Sequence, residues 1–443
     1  MGIVQPVADA LQRALGEPLD RLGRDCGAIR RRRKFSGSSL VQALVLTLIH
    51  RPRARPEHYA ETAALLGVEV TPRAVARRFT PALVGLLRAA LDRLLGEAIA
   101  ADPGLAPTLA GFAGVYLGDS TTVPLPEAYA GEFPACGGAA GQGRAALKLQ
   151  VVWDLKTGRL ARLAPGPGRS SDAADAAASE PPPPGSLAVF DLGYFDIDRL
   201  RRWADAGVSF LSRLQPGTSV LGRDGRPLDL AAAIVAAGPG PLDLPILLGA
   251  AERLPCRLVA MAAPPEVAAR RRQRAYERAR DRGRVPSAAH LAACGWTAFV
   301  TDVPAEALGW KAAVVLYRAR WQVELLFKLW KSYGLLADPP AGPSTPDRAA
   351  AEVWAKLIAA VVRHWVLLAT AWPDARRSLT KAARVTGDRA MLLIVAFGDP
   401  ARMAEALGKM GAGLDYLARI TPRRKPPSSF QLLADPTLLD WGP

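Results

Sequence analysis

Histidine and cysteine are scarce in this 443-residue chain, with four of each. The cysteines (Cys26, Cys136, Cys256 and Cys294) lie far apart and form no CxxC pair. That excludes a zinc site of the usual spacing and a disulfide framework, and it fits a reducing compartment. The histidines (His50, His58, His290 and His364) stand away in sequence from every acidic motif, so a histidine-based nuclease or a Ser-His hydrolase finds no support. Long uncharged apolar runs are also missing. The nearest, 353–370, is interrupted by Lys356, Arg363 and His364, and reads as a core helix rather than a membrane span. The opening MGIVQPVADALQRAL lacks the charged-then-apolar layout of a signal peptide. Acidic residues are few beside basic ones, 41 against 57, which leaves a net charge of +16. Such a balance predicts a polyanionic partner, nucleic acid before an anionic membrane. The richness in Ala and Arg also has a source in genome composition, independent of function.

Taken in order, residues 1–105 read as helical. A first helix near Val7–Leu15 precedes a basic run, Arg30 to Lys34, and Ser38 or Ser39 is placed to cap a helix carrying Leu40, Leu44, Leu48 and Ile49. A helix from Glu57 to Leu66 stops at Gly67, and Thr71-Pro72 opens the next, PRAVARRF. This pair suggests a helix-turn-helix-like DNA reader with Arg73, Arg77 and Arg78 on its second helix, against the plainer reading of a solvated charged face. A helix over 83–99 closes the region. From Gly111 strands take over: GVYLGDSTTV ending near Asp119, a hairpin from 146–155 and 159–164, and Leu187–Phe190 ending in Asp191. A helix at 196–206 and a strand at 208–214 follow. Strands alternating with helices after an antiparallel hairpin imply an α/β core with a mixed sheet. Beyond 215 come short strands and a very basic helix. Between Arg270 and Arg284 there are eight arginines (Arg271, Arg274 and Arg278 among them) against Glu277 and Asp281. Nucleic-acid backbone is the natural counter-charge, a solvated helix the alternative. A last strand at 296–303 leads to further helices and a basic, Pro-rich tail at 421–427.

The stretch Leu316 to Ser332, LYRARWQVELLFKLWKS, has no Pro or Gly and predicts one continuous helix. Tyr317, Arg320, Glu324, Lys328 and Lys331 fall at steps of three, four, four and three, a single polar stripe between apolar flanks. Glu324 then either pairs with lysines at the surface or points into a site where cations meet an anion. With Asp119 and Asp191 it would form a hard-oxygen set suited to Mg²⁺ or Mn²⁺, able to serve phosphodiester chemistry. Arg320 and Lys331 would hold DNA phosphates, and Tyr317 would donate a hydrogen bond to one.

Tyr317-x2-Arg320-x3-Glu324-x6-Lys331 resembles the Tyr-Arg-Glu-Lys signature of the IS4-type DDE transposases. Asp119 in LGDST and Asp191 in FDLGYF are similar to that family's two aspartates, and the 133 positions from 191 to 324 are similar to members with a β-rich insertion there. The resemblance covers about 116–331. It implies a ribonuclease-H-like mixed-sheet catalytic core interrupted by a β-rich insertion, with all-α N- and C-terminal regions. The expected divisions are 1–105 for DNA binding, 106–214 and 304–340 for the core, 215–303 for the insertion and 341–443 for the C-terminal helices. It further implies two Mg²⁺ ions, with Mn²⁺ able to substitute, double-stranded DNA (transposon ends and target) as partner, and a homodimer in the synaptic complex. No membrane is expected, and the setting is the bacterial cytoplasm at the nucleoid. Trp296, 28 positions before Glu324, is a candidate for stacking an extruded base, or else a core residue. Ser170-Ser171 stands before Asp172 where many relatives carry His, so Asp172 receives no catalytic role. The expected activity is cleavage at transposon ends and joining of the exposed 3′-hydroxyl to target DNA. Two alternatives stay open: a silent or domesticated DNA-binding protein or transposition repressor, and a nuclease of the same core that cleaves without joining.

Overall fold

A computed structural model describes residues 3–31, 33–97, 107–136, 145–172, 180–238, 240–332, 336, 345–372, 374, 376–420, 432–433 and 435–439. In chain order the elements begin with α1 (Val4–Leu15), α2 (Pro18–Asp25), α3 (Gly37–His50), α4 (Pro56–Leu65), α5 (Pro72–Ala76), α6 (Pro81–Gly96) and α7 (Pro107–Ala110). Strands β1 (Val115–Leu125), β2 (Ala145–Asp154), β3 (Leu160–Pro167) and β4 (Leu187–Phe190) follow, then α8 (Ile197–Asp205) and β5 (Ser209–Arg213). Next are β6 (Val220–Leu221), α9 (Leu230–Ala237), β7 (Leu242–Leu248), β8 (Leu254–Ala262), α10 (Pro265–Arg280), α11 (Ala288–Ala293) and β9 (Trp296–Thr301). The chain continues through α12 (Trp310–Ala319), α13 (Trp321–Ser332), α14 (Pro346–Thr370), α15 (Leu379–Asp388), α16 (Ala390–Ala396) and α17 (Pro400–Leu417). The basic tail at 421–427 lies outside the described residues.

The chain forms two compact units. The first comprises Met1–Gly104, Ser120–Ser170 and Glu324–Arg424, and the second Leu105–Asp119, Ser171–Val323 and Lys425–Pro443. In the first, α14 is the spine. Every residue from Val353 to Thr370 is buried, and α3, α6, α15 and α17 pack around it. Each large apolar side chain it removes from water contributes about 1.5–3 kcal/mol. Its polar residues are paired rather than facing lipid. Arg348 Nε donates to Glu352 at 2.9 Å, Arg363 Nη2 to the Ile49 carbonyl at 3.0 Å, and His364 Nε2 to the Gly158 carbonyl at 2.7 Å. The stretch is long and apolar enough to cross a membrane by composition, yet it serves as the core helix expected from its charges. The hairpin β2–β3 belongs to the same unit, antiparallel, with Gly158 in its turn at φ +71°.

In the second unit the sheet runs β1-β4-β5-β9-β8-β7-β6. Strands β1, β4 and β5 are parallel, whereas β9, β8, β7 and β6 continue from β5 in antiparallel steps. This is the expected α/β architecture with a mixed sheet and a β-rich insertion. The insertion does not stand apart: its last strand, β9, pairs with β5, aligning Leu211 with Thr301 and Arg213 with Phe299.

Several local expectations change. The cap of α3 is Ser36, not Ser38 or Ser39: its hydroxyl accepts from the Ser39 N–H while the Ser39 hydroxyl accepts from the Ser36 N–H. Helix α5 ends at Ala76, so Arg77 and Arg78 lie past it and the supposed reading helix is only five residues long. Helix α4 closes before Gly67 at φ +79°, and Thr71 caps α5, both as expected. The single helix expected over 316–332 is two, α12 and α13, meeting at Arg320. There the Arg320 N–H bonds the Tyr317 carbonyl and the Val323 N–H bonds the Arg320 carbonyl, i to i+3 steps that tighten and redirect the chain.

Candidate active site

Asp191 follows β4 directly. That strand, LAVF, is buried at all four positions, as a central parallel strand must be. Its register with β1 runs from Val115 beside Leu187 to Gly118 beside Phe190, and the Asp191 N–H donates to the Gly118 carbonyl at 3.2 Å. The next step of the ladder therefore sets Asp119 alongside Asp191. Asp119 is not at a strand end as expected but midway along β1, which continues to Leu125 through the hydroxyl residues after it.

Gly118 makes this register possible. A Cβ there would overlap the Phe190 ring. Phe190 in turn packs against Tyr194 at 5.5 Å and Trp203 at 5.0 Å between ring centroids. Asp191 caps the 3-10 turn Leu192–Tyr194, its Oδ2 accepting from the Gly193 N–H at 3.4 Å. Gly193 leaves room for a third acid: a Cβ on it would lie 3.2 Å from Asp172 Oδ2. Sequence reading left Asp172 without a role, and nothing in its Ser- and Asp-rich surroundings marks its place beside the Asp191 turn.

Arg320 enters from the α12–α13 junction. Its Nη1 donates to Asp119 Oδ2, and its Nη2 pairs with Asp191 Oδ1 at 3.2 Å. The Arg320 and Asp119 side chains are 10% and 13% exposed and Asp191 39%, so the bridge is shielded on the Asp119 side and open on the other. The expectation that Arg320 holds DNA phosphates thus meets a different finding: its guanidinium is on the two aspartates. Tyr317 is buried one turn earlier, with the guanidinium 5.8 Å from its ring centroid. Burial pushes its phenol up to about 12 despite the nearby arginine, whose charge acts on the hydroxyl without hydrogen-bond geometry.

The other expected residues are placed as follows. Glu324 is half-buried in the first turn of α13 and belongs to the first unit, whereas both aspartates belong to the second. Lys331 is half-buried in the last turn of the same helix, and burial lowers its pKa. Among the described residues no three His, Cys, Asp or Glu side chains stand close enough together to hold a metal ion. Trp296 opens β9, half-buried, opposite Ala262. Of the arginines on α10, Arg274 and Arg278 are exposed, but Arg271 is turned inward. Its Nη1 donates to the Trp296 carbonyl at 2.9 Å and its Nη2 to Thr297 Oγ1 at 3.0 Å, so it fastens the helix to the sheet. Arg73 and Arg77 are exposed, and Arg78 lies 6.0 Å from the Phe35 ring centroid.

The mixed sheet thus sets two acids side by side at adjacent parallel strands, with one guanidinium paired to both. Comparison with known proteins gives the family. Residues 111–362, more than half of the chain, match the transposase DDE domain, and the chain belongs to that family. It is 25% identical over 352 residues to the transposase for insertion sequence element IS231F of Bacillus thuringiensis subsp. israelensis, covering 74% of this chain and 73% of that one. It is 26% identical over 237 residues to the transposase for IS1151 of Clostridium perfringens, covering 49% and 50% of the two chains. Over 106 residues it is 37% identical to the Escherichia coli K12 protein InsL of element IS186A, covering 24% and 28%. A piggyBac transposase in a synaptic complex with hairpin DNA aligns with a TM-score of 0.45 at 9% identity, over 95% of this chain and 86% of that one.

The chain is thus a DDE transposase, a DNA-acting enzyme, and its family depends on divalent metal. The residues present fit such an ion. Asp119 and Asp191 offer hard carboxylate oxygens, and the guanidinium between them is a stand-in cation already drawn to the same atoms.

Proposed function

We propose that the chain cuts DNA at the ends of an insertion sequence and joins the exposed 3′-hydroxyls to target DNA. Asp119, Asp191 and Glu324 are the catalytic carboxylates and would hold two Mg²⁺ ions, which Mn²⁺ could replace. Bound there, the ions would stabilise negative charge on the entering and leaving oxygens of a phosphodiester. In the first step a water oxygen attacks phosphorus at the transposon end, the P–O3′ bond breaks, and the end keeps its 3′-hydroxyl. In the second that hydroxyl attacks a target phosphodiester, losing its proton as the new P–O bond forms and the target's P–O3′ bond breaks. Tyr317 and Lys331 orient backbone phosphates beside the cut, and Trp296 is the candidate platform for an extruded base.

Exposed Arg274 and Arg278 on α10, with Arg73, Arg77 and Arg78 near α5, would hold flanking duplex. A homodimer bridges two ends, in the bacterial cytoplasm at the nucleoid. The region 1–105 serves DNA binding, and 215–303 acts as an insertion within the core. The observation that carries the proposal is the register of β1 and β4, which sets the two aspartates side by side. Its test is a supercoiled donor plasmid bearing the element's ends, incubated with Mg²⁺ or with chelator. Wild type should nick at the ends and yield joined products only with metal, and Asp119→Asn and Asp191→Asn should do neither while still binding ends. Binding without cleavage by wild type would mark a silent binder, and nicks without joints a nuclease; either overturns the proposal.

A further inference from the structure

Asp119 and Asp191 are expected to present their oxygens to a divalent cation, yet one side chain pairs with both. Arg320 donates from Nη1 to Asp119 Oδ2 and pairs from Nη2 with Asp191 Oδ1 at 3.2 Å. We infer that Arg320 is a built-in counter-ion of the metal-free enzyme, and that a divalent ion and this guanidinium compete for the same two carboxylates. The inference rests on the ligand role proposed for the aspartates and adds what holds them beforehand.

Four considerations support it. Two carboxylates held side by side on adjacent strands repel, and a cation between them relieves that repulsion. The planar fork of an arginine suits that position, because two of its nitrogens can face two different acids at once. Arg320 also sits where it can leave. It occupies the junction of α12 and α13, bounded by i to i+3 hydrogen bonds rather than the regular ladder, so a local turn of the backbone need not break a continuous helix. Finally, Asp191 Oδ2 is engaged by the Gly193 N–H, so that carboxylate keeps its orientation through its own turn when Oδ1 changes partner. A guanidinium released in this way would then meet a DNA phosphate. The residue would thus serve two successive anions.

The test is Mn²⁺ binding to the full-length protein without DNA, at fixed pH and ionic strength, by calorimetry and by loss of the free-Mn²⁺ electron paramagnetic resonance signal. Arg320→Gln should bind Mn²⁺ about ten-fold more tightly than wild type, since no competitor must first be displaced. Arg320→Lys should fall between them, because a single ammonium cannot bridge both acids with the same geometry. Asp191→Asn should remove this binding in either background. Equal or weaker Mn²⁺ binding by Arg320→Gln, with Asp191→Asn still abolishing it, overturns the competition alone. Binding indifferent to Asp191→Asn overturns the ligand assignment and this inference together. If Arg320→Gln does not fold, Arg320→Lys decides: unchanged affinity rejects the proposal.

Discussion

Asp119 and Asp191 are brought together by a glycine. Gly118 has no side chain where the Phe190 ring lies, and that absence lets β1 and β4 keep the register that aligns the two acids. Gly118→Ala should therefore lower stability by about 1–3 kcal/mol, the usual cost of overpacking, and reduce activity beyond what a remote change of equal stability does. Thermal melts beside the joining assay would check both. Lys331 acts at the same scale. Burial lowers its pKa, and in the proposed function its charge serves DNA and not metal. Lys331→Ala should keep Mn²⁺ affinity, bind ends more weakly, and reduce the slope of log affinity against log salt by about 1. Weakened metal binding in that variant would place Lys331 at the carboxylates instead.

At the scale of elements, α10 and α14 make opposite use of charge. α10 buries only Ala268 and Ala275 and displays most of its arginines, so Arg274→Ala and Arg278→Ala should each reduce the salt slope without changing the melting temperature. Arg271→Ala should instead lower the melting temperature, because that guanidinium holds β9. α14 buries its charges. His364 is enclosed, donates to the Gly158 carbonyl, and has its pKa lowered by burial to about 4. An imidazole depressed in this way contributes stability that is intact above its unfolded value near 6.5 and is lost as pH falls through about 4. Melting between pH 7.5 and 4 should show a loss on the order of 3 kcal/mol from this group, and His364→Gln, less stable at neutral pH, should lose less on acidification.

Strand positions were legible because short apolar runs end in Asp, and β4 matches the expected range residue for residue. The break at Arg320 was not legible. Nothing in LYRARWQ disfavours a helix, and the residue at the break, Arg320, pairs with acids 129 and 201 positions away, Asp191 and Asp119, which no local pattern shows. The further span of β1 past Asp119 was missed for a related reason: Ser and Thr read as a turn until a neighbouring strand supplies the ladder.

For the whole molecule, the charge of +16 and the acidic pair describe one task. On the proposed function, that charge draws DNA by counterion release, and the carboxylates cannot meet its phosphates without cations between them. Arg320 provides such a cation before metal arrives. A DNA partner was legible from the charge balance. The nearness of Asp119 to Asp191 was legible in outline, as two acids on neighbouring strands, but not the arginine that pairs with both. The central claim is that Glu324 completes the set begun by Asp119 and Asp191. Its most direct test is Glu324→Gln in the donor-plasmid assay at saturating Mg²⁺. The account predicts end binding equal to wild type with neither nicking nor joining, and joined product at the wild-type rate would contradict it.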